Sequence, residues 1–185
     1  MQTIETRLDE VRALLCDNDF LTGKGLSNEV NIRIFTYDPK DEMAVRAFTE
    51  QIISDPALPC RIIHRNLYDV FLAACDDIGI TDTIPEMEAE EGSAFLLEQI
   101  HDAIGEAEFV SRIDYPDHEQ GDVVLLTGVG EVFPFMRIHV LLEAIQPHFT
   151  GVPILVFYPG NFDGQRVRLF GKLVPNDYYR AFSAI

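Results

Sequence analysis

Gly128 and Gly130 stand directly behind Val123-Val-Leu-Leu-Thr127, an apolar run rich in β-branched residues that reads as a buried strand entering a turn. A strand that passes through a glycine turn into a helix can present backbone N–H groups and a helix dipole to a phosphate. The Thr127 to Phe133 turn is therefore the first candidate for chemistry. Its spacing departs from the usual phosphate sites. A dinucleotide fingerprint beginning at Gly128 needs its third glycine at the position of Phe133, and a P-loop needs Gly-Lys-Ser or Gly-Lys-Thr, of which Gly23-Lys24-Gly25 is only a fragment. A turn that needs glycine for positive φ is the simpler reading. A nucleotide-binding hydrolase, or a degenerate nucleotide-binding domain, is the alternative.

Other reactive side chains are scattered. His139 and Glu143 sit one helical turn apart and could touch a metal, but no second histidine completes a zinc pattern, and His64, His101, His118 and His148 have no ligand spacing. No Gly-x-Ser-x-Gly elbow is present, and no cysteine has a histidine at a diagnostic distance. Cys16, Cys60 and Cys75 are odd in number and never form a C-x-x-C pair, which suggests packed thiols in a reducing cytoplasm. No catalytic residue, metal ligand or cofactor is assigned. Arg137 stands apart, because a cation near a helix start opposes the dipole and calls for a structural partner or an anionic ligand.

The elements that would position these residues alternate between strand and helix. Strands are expected near 31–36, 60–64, 122–127 and 153–158, with an antiparallel edge near 166–170 behind the Asp163-Gly164 turn signal. Between them, Ile4, Leu8, Val11 and Leu15 mark a first helix, followed by a loop over Leu21 to Asn28. Asp38 is placed to cap a second helix, with Pro39 in its first turn and Val45, Phe48 and Ile52 on its buried face. Leu67, Val70, Phe71 and Ala74 mark a third helix, and Thr83 to Ile104 a covering one. Pro134 fits the first position of a helix carrying Phe135, Ile138, Leu142 and Ile145. Asn176 or Asp177 can cap a final turn through Phe182. The expected fold is one α/β domain over residues 1–185: a three-layer, mostly parallel sheet of about five strands, helices on both faces, and an antiparallel edge strand near the C-terminus.

With 185 residues, 47% of them hydrophobic, the chain can bury a sizeable core, and it contains neither a signal-peptide pattern nor an apolar run of spanning length. Its formal charge of −17 opposes direct binding of nucleic acid or an anionic membrane. The charge is uneven. From Asp82 to Asp122 there are 13 acidic residues against Arg112 alone, whereas beyond Asp122 there are four acidic and five basic residues. A partner would meet less repulsion on the C-terminal third. Ligands of parallel sheets gather at strand carboxyl ends, so Phe133, Arg137, Tyr158, Asn161 and Phe162 are the candidate partner contacts.

Four segments carry a family resemblance: Leu26-Ser-Asn-Glu29 with Tyr37-Asp-Pro39; Asp122 to Gly130 with Phe133-Pro134 and Arg137-x-His139; Phe157-Tyr-Pro-Gly160 with Phe162-Asp-Gly-Gln165; and Asn176 to Phe182. In order and spacing they resemble the BrxB proteins of BREX bacteriophage-defence systems. The resemblance implies a cytoplasmic prokaryotic protein encoded beside a DNA methyltransferase, an ATPase and the phosphatase-like PglZ. It further implies an accessory, non-enzymatic role with PglZ and other BREX components as the expected partners.

Overall fold

A computed structural model describes residues 2–24, 31–163, 166–173, 176–177 and 182–185. At its centre β3 (Asp122–Thr127) and β4 (Ile154–Phe162) run parallel, with Val124 opposite Ile154 and Leu126 opposite Val156. The sheet extends to β2 (Arg61–Asn66) beyond β3, and to β1 (Ile32–Tyr37) and β7 (Phe182–Ser183) beyond β4, giving the order β2-β3-β4-β1-β7 with every neighbouring pair parallel. β5 (Arg166–Leu169) returns antiparallel along the last residues of β4, and β6 (Asn176–Asp177) pairs with β5. This is the expected α/β fold with its antiparallel C-terminal strand.

Period-two alternation divides the strand side chains between two cores. Val124, Leu126, Ile154, Val156 and Tyr158 face one side, against α4 (Leu67–Asp77), α6 (Ser93–Ala103), α7 (Glu106–Ile113) and α9 (Ile138–Ile145). Val123, Leu125, Leu155 and Phe157 face the other, against α1 (Ile4–Leu15), α2 (Asn18–Thr22) and α3 (Glu42–Ile53). Each fully buried aliphatic or aromatic side chain contributes about 1.5–3 kcal/mol of transfer free energy, so this two-sided burial makes the central strands the most strongly held part of the chain.

Local signals set most helix starts. The Thr3 side chain caps α1, Asp38 caps a short 3-10 turn that begins with Pro39, and Asn66 accepts from the Tyr68 and Asp69 N–H groups to cap α4. Elsewhere the periodicity misleads. The acidic stretch is two helices, α5 (Ile84–Glu91) and α6, broken at Gly92, whose φ of 86° lies outside the helical region. Pro134 does not open a helix. The turn after β3 coils at once into α8 (Val129–Val132); Phe133 is then extended, as a residue before proline prefers, and α9 starts only at Ile138. The Phe133–Pro134 peptide is cis.

Asn176 and Asp177 form β6 rather than a helix cap, because they pair with Arg166 and Val167 of β5. Phe182 and Ser183 lie beside β1 in β7, while residues 178–181, the middle of the expected final turn, fall outside the described residues. The expected loop over 21–28 is helical to Thr22, and its residues 25–28 are likewise outside the described residues. No helix among the described residues is long and apolar enough to cross a membrane.

The amino ends of β2 and β3 are joined by a polar clamp. Asp122, 1% exposed, accepts two 2.7 Å bonds from the Arg61 guanidinium, one from the Tyr115 hydroxyl at 2.8 Å and one from the Glu119 N–H at 3.0 Å. Arg61, more than any other group, holds the Asp122 carboxyl down at about 2. A depressed carboxylate stabilises the fold above its unfolded pKa, and that stability is lost as pH falls through the folded value. Acid unfolding should therefore show a component between about pH 4 and pH 2. Arg61 is half exposed and partly screened, so Asp122→Asn is expected to cost roughly 1–2 kcal/mol at pH 7 and almost nothing at pH 2, measured by urea denaturation at both pH values.

Candidate functional site at the carboxyl edge

Because β1 to β4 run in one direction, Tyr37, Asn66, Thr127 and Tyr158 end near a common edge. The glycine turn lies there for packing reasons. Gly128 has φ of 73°, and a Cβ on it would fall against the Asn66 side chain that caps α4. Gly130 does not have positive φ; it is needed because a Cβ would come within 2.9 Å of the Phe170 ring and 3.0 Å of Pro159. Positive φ thus explains one glycine of the pair and close approach the other.

On the α3 side of this edge lies a polar cleft of about 300 Å³ that includes Tyr37, Glu42, Arg46, His64, Thr127 and Glu131. Its charges satisfy one another. The Tyr37 hydroxyl donates to Glu42 at 2.6 Å, and Arg46 donates to Glu42 at 2.9 Å and to Glu131 at 2.5 Å. Burial, reinforced by Glu42, raises the Tyr37 pKa and keeps the phenol protonated. Burial also lowers the His64 pKa, so its ring is neutral at pH 7 while Nε2 pairs with the Thr127 hydroxyl at 2.8 Å. A phosphate entering here would meet two carboxylates and one arginine that is already engaged.

On the α9 side lies an apolar pocket of about 380 Å³, walled by Val129, Phe133, Met136, Ile138, Leu169 and Leu173, with Arg137 and Tyr158 among its lining. Three of the five candidate contact residues, Phe133, Arg137 and Tyr158, thus meet in one place. Phe162 is half-buried against the same core, on the face of β4 that Tyr158 occupies. Asn161 alternates to the opposite face and lines a separate groove with Tyr37, Asp38 and Phe170. Tyr158 is only 2% exposed and belongs to the core, where burial raises the pKa of its hydroxyl. Arg137 is exposed at the N-cap of α9 and makes no ion pair among the described residues.

Met136, Leu169 and Leu173 escaped sequence reasoning as site residues. The signal for Leu169 was present in the alternation of Val167 and Leu169 with exposed Arg166 and Arg168, but nothing local ties that strand to α9. The Nδ1 of His139 is buried without a hydrogen-bond partner, and burial followed by Arg137 lowers its pKa. Among the described residues no group of three or more His, Cys, Asp or Glu could hold a metal ion. Of the three expected packed thiols, Cys75 is buried, Cys60 is half-buried, and Cys16 is exposed at the end of α1.

Comparison with known proteins places this edge in a family context. The family model described as BREX protein BrxB matches residues 63–184, which include the turn and the apolar pocket. A BREX protein BrxB of Bacillus cereus (strain H3081.97) is 36% identical over 192 residues, covering 100% of this chain and 99% of the relative. Another, of Escherichia coli O9:H4 (strain HS), is 25% identical over 185 residues, covering 98% of this chain and 92% of the relative. No solved structure matches the chain.

The packing around the turn sets its tolerance. Gly128→Ala must hold a left-handed backbone and displace the Asn66 cap, and is expected to destabilise the protein by about 2–3 kcal/mol in chemical denaturation. A loss below about 0.5 kcal/mol would mean that the turn relaxes without disturbing α4.

Proposed function

Because the chain belongs to the BrxB family of BREX proteins, a component of bacteriophage defence, we propose that it acts there as a non-enzymatic interaction subunit that binds the phosphatase-like PglZ component. The observation that supports this reading is the division of the carboxyl edge. The polar cleft has its charges paired internally, whereas the apolar pocket carries an exposed arginine without an ion pair among the described residues, beside the half-buried Phe133. An arginine and aromatic residues around a pocket are the groups that dominate binding once a partner desolvates them. In this reading Phe133, Arg137 and Phe162 are the contacts, Tyr158 forms the pocket floor, and Asn161 flanks the site from the other face of β4. The chain works as one domain in the cytoplasm, without a cofactor, and does not touch nucleic acid by itself, since its charge of −17 repels the backbone.

A nucleotide-dependent hydrolase at the Thr127 to Phe133 turn is the competing reading, for which the His64–Thr127 hydrogen bond is the one favourable observation. Calorimetry with ATP, GTP and NAD in magnesium is expected to give no saturable heat. Saturable binding that disappears in Gly130→Val would favour the hydrolase.

The interaction reading is tested by co-purification of the tagged chain with the PglZ-like protein from its own locus. Wild type is expected to retain the partner, and Arg137→Glu combined with Phe162→Ala to lose it. Phe162 is half-buried, so a loss of about 2 kcal/mol, or a melting point lower by roughly 4–8 °C, should accompany the change without unfolding the variant. Undiminished retention by that variant would exclude this surface.

A further inference from the structure

The two polar side chains that line the α9 pocket, Arg137 and Tyr158, both offer hydrogen-bond donors. Tyr158 is 98% buried, its exposure being 2%, and its hydroxyl makes no hydrogen bond among the described residues. That hydroxyl opens onto the pocket rather than being sealed in the core, so an acceptor that enters can take its hydrogen bond. Arg137 carries a full positive charge at the rim and has no counter-ion among the described residues. The first turn of α9, which starts immediately behind it, receives no side-chain cap. No carboxylate lines the pocket among the described residues.

The contrast with the neighbouring cleft is direct. There Arg46 is held by Glu42 and Glu131; here Arg137 has no ion pair among the described residues, although the chain as a whole carries a charge of −17. The remainder of the lining is apolar, and a volume of about 380 Å³ lies within the range that accepts a compact ligand or a bulky anchoring side chain.

We propose that this pocket receives an acidic peptide segment of the protein partner, in which one bulky apolar side chain is flanked by carboxylates. The apolar side chain fills the space between Val129, Met136 and Leu169. A flanking carboxylate accepts from the Arg137 guanidinium and the Tyr158 hydroxyl, close to the uncapped start of α9. The inference rests on the interaction-subunit reading and supplies the chemistry of the partner's contact. Charge-assisted bonds of this kind are short, directional and selective against a cationic neighbour.

The test uses the full chain labelled with 15N and two probes, acetyl-Glu-Phe-Glu-amide and acetyl-Lys-Phe-Lys-amide, titrated at 150 mM salt. The acidic probe is expected to shift the amide resonances of Val129, Met136 to Ile138 and Leu169, with affinity at least tenfold above the lysine probe. Arg137→Glu should reverse that preference and Arg137→Lys should keep most of it. Tyr158→Phe, which removes only the unbonded hydroxyl, should weaken the acidic probe several-fold without lowering the melting temperature. Equal affinity for the two probes, or shifts confined to other surfaces, would overturn the proposal. So would full retention of the PglZ-like protein by Arg137→Glu, and that result would leave the interaction reading itself standing. Conversely, selective binding of the acidic probe by a chain that never co-purifies with that protein would support the pocket chemistry and remove the named partner.

Discussion

The pairing of β4 between β1 and β3 is the constraint on which the other features depend. Ile154 is opposite both Ile32 and Val124, so one strand fixes the register of its two neighbours. Its side chains from Ile154 to Tyr158 are all buried, alternately into two cores. A parallel ladder of this kind is satisfied only when helices cover both faces, and the helices here segregate accordingly. A one-residue slip would exchange the two sets of side chains and put Tyr158 where Phe157 now packs against Phe35 and Phe48.

The same alternation makes the carboxyl edge two-sided. Thr127 continues the face of Val123 and Leu125, and so meets His64 and the Glu42–Arg46–Glu131 network around the α3 cleft. Tyr158 continues the face of Ile154 and Val156 and opens toward α9. The extension of β4 past Pro159 then carries β5 back across the edge, and Leu169 closes the wall of the second pocket. One side of the edge is electrostatically closed. The other presents Arg137, which has no ion pair among the described residues, beside an apolar pocket.

The strands were legible in the sequence because burial on both faces leaves continuous apolar runs, as in Val123 to Leu126 and Ile154 to Phe157. Helices with a cap and a regular stripe, such as the one Asn66 starts, were equally plain. The failures have separate causes. Pro134 matched a helix-opening position by type, but the restriction that proline places on Phe133 and the early coil of Val129 to Val132 moved the start to Ile138. The helix Glu106–Ile113 was overlooked within an acidic stretch although Phe109, Val110 and Ile113 mark its buried face. Asn176 and Asp177 look like cap residues locally, and only their pairing with β5 makes them strand. At the site, Phe133 and Arg137 were readable from type and position. Leu169 and Leu173 were not, since their approach to α9 is a long-range consequence of the hairpin, and Asn161 was misplaced by one step of the alternation.

Membership of the BrxB family ties this architecture to BREX defence, and the divided edge supports the proposal that the chain recognises another protein. Hydrogen–deuterium exchange on the chain, alone and with the PglZ-like protein, tests that idea most directly. Slowed exchange concentrated in residues 129–138 and 158–162, with the acidic helices between Ile84 and Ile113 unchanged, is the expected result. Protection confined to those acidic helices, or none at all in a complex known to have formed, would contradict it.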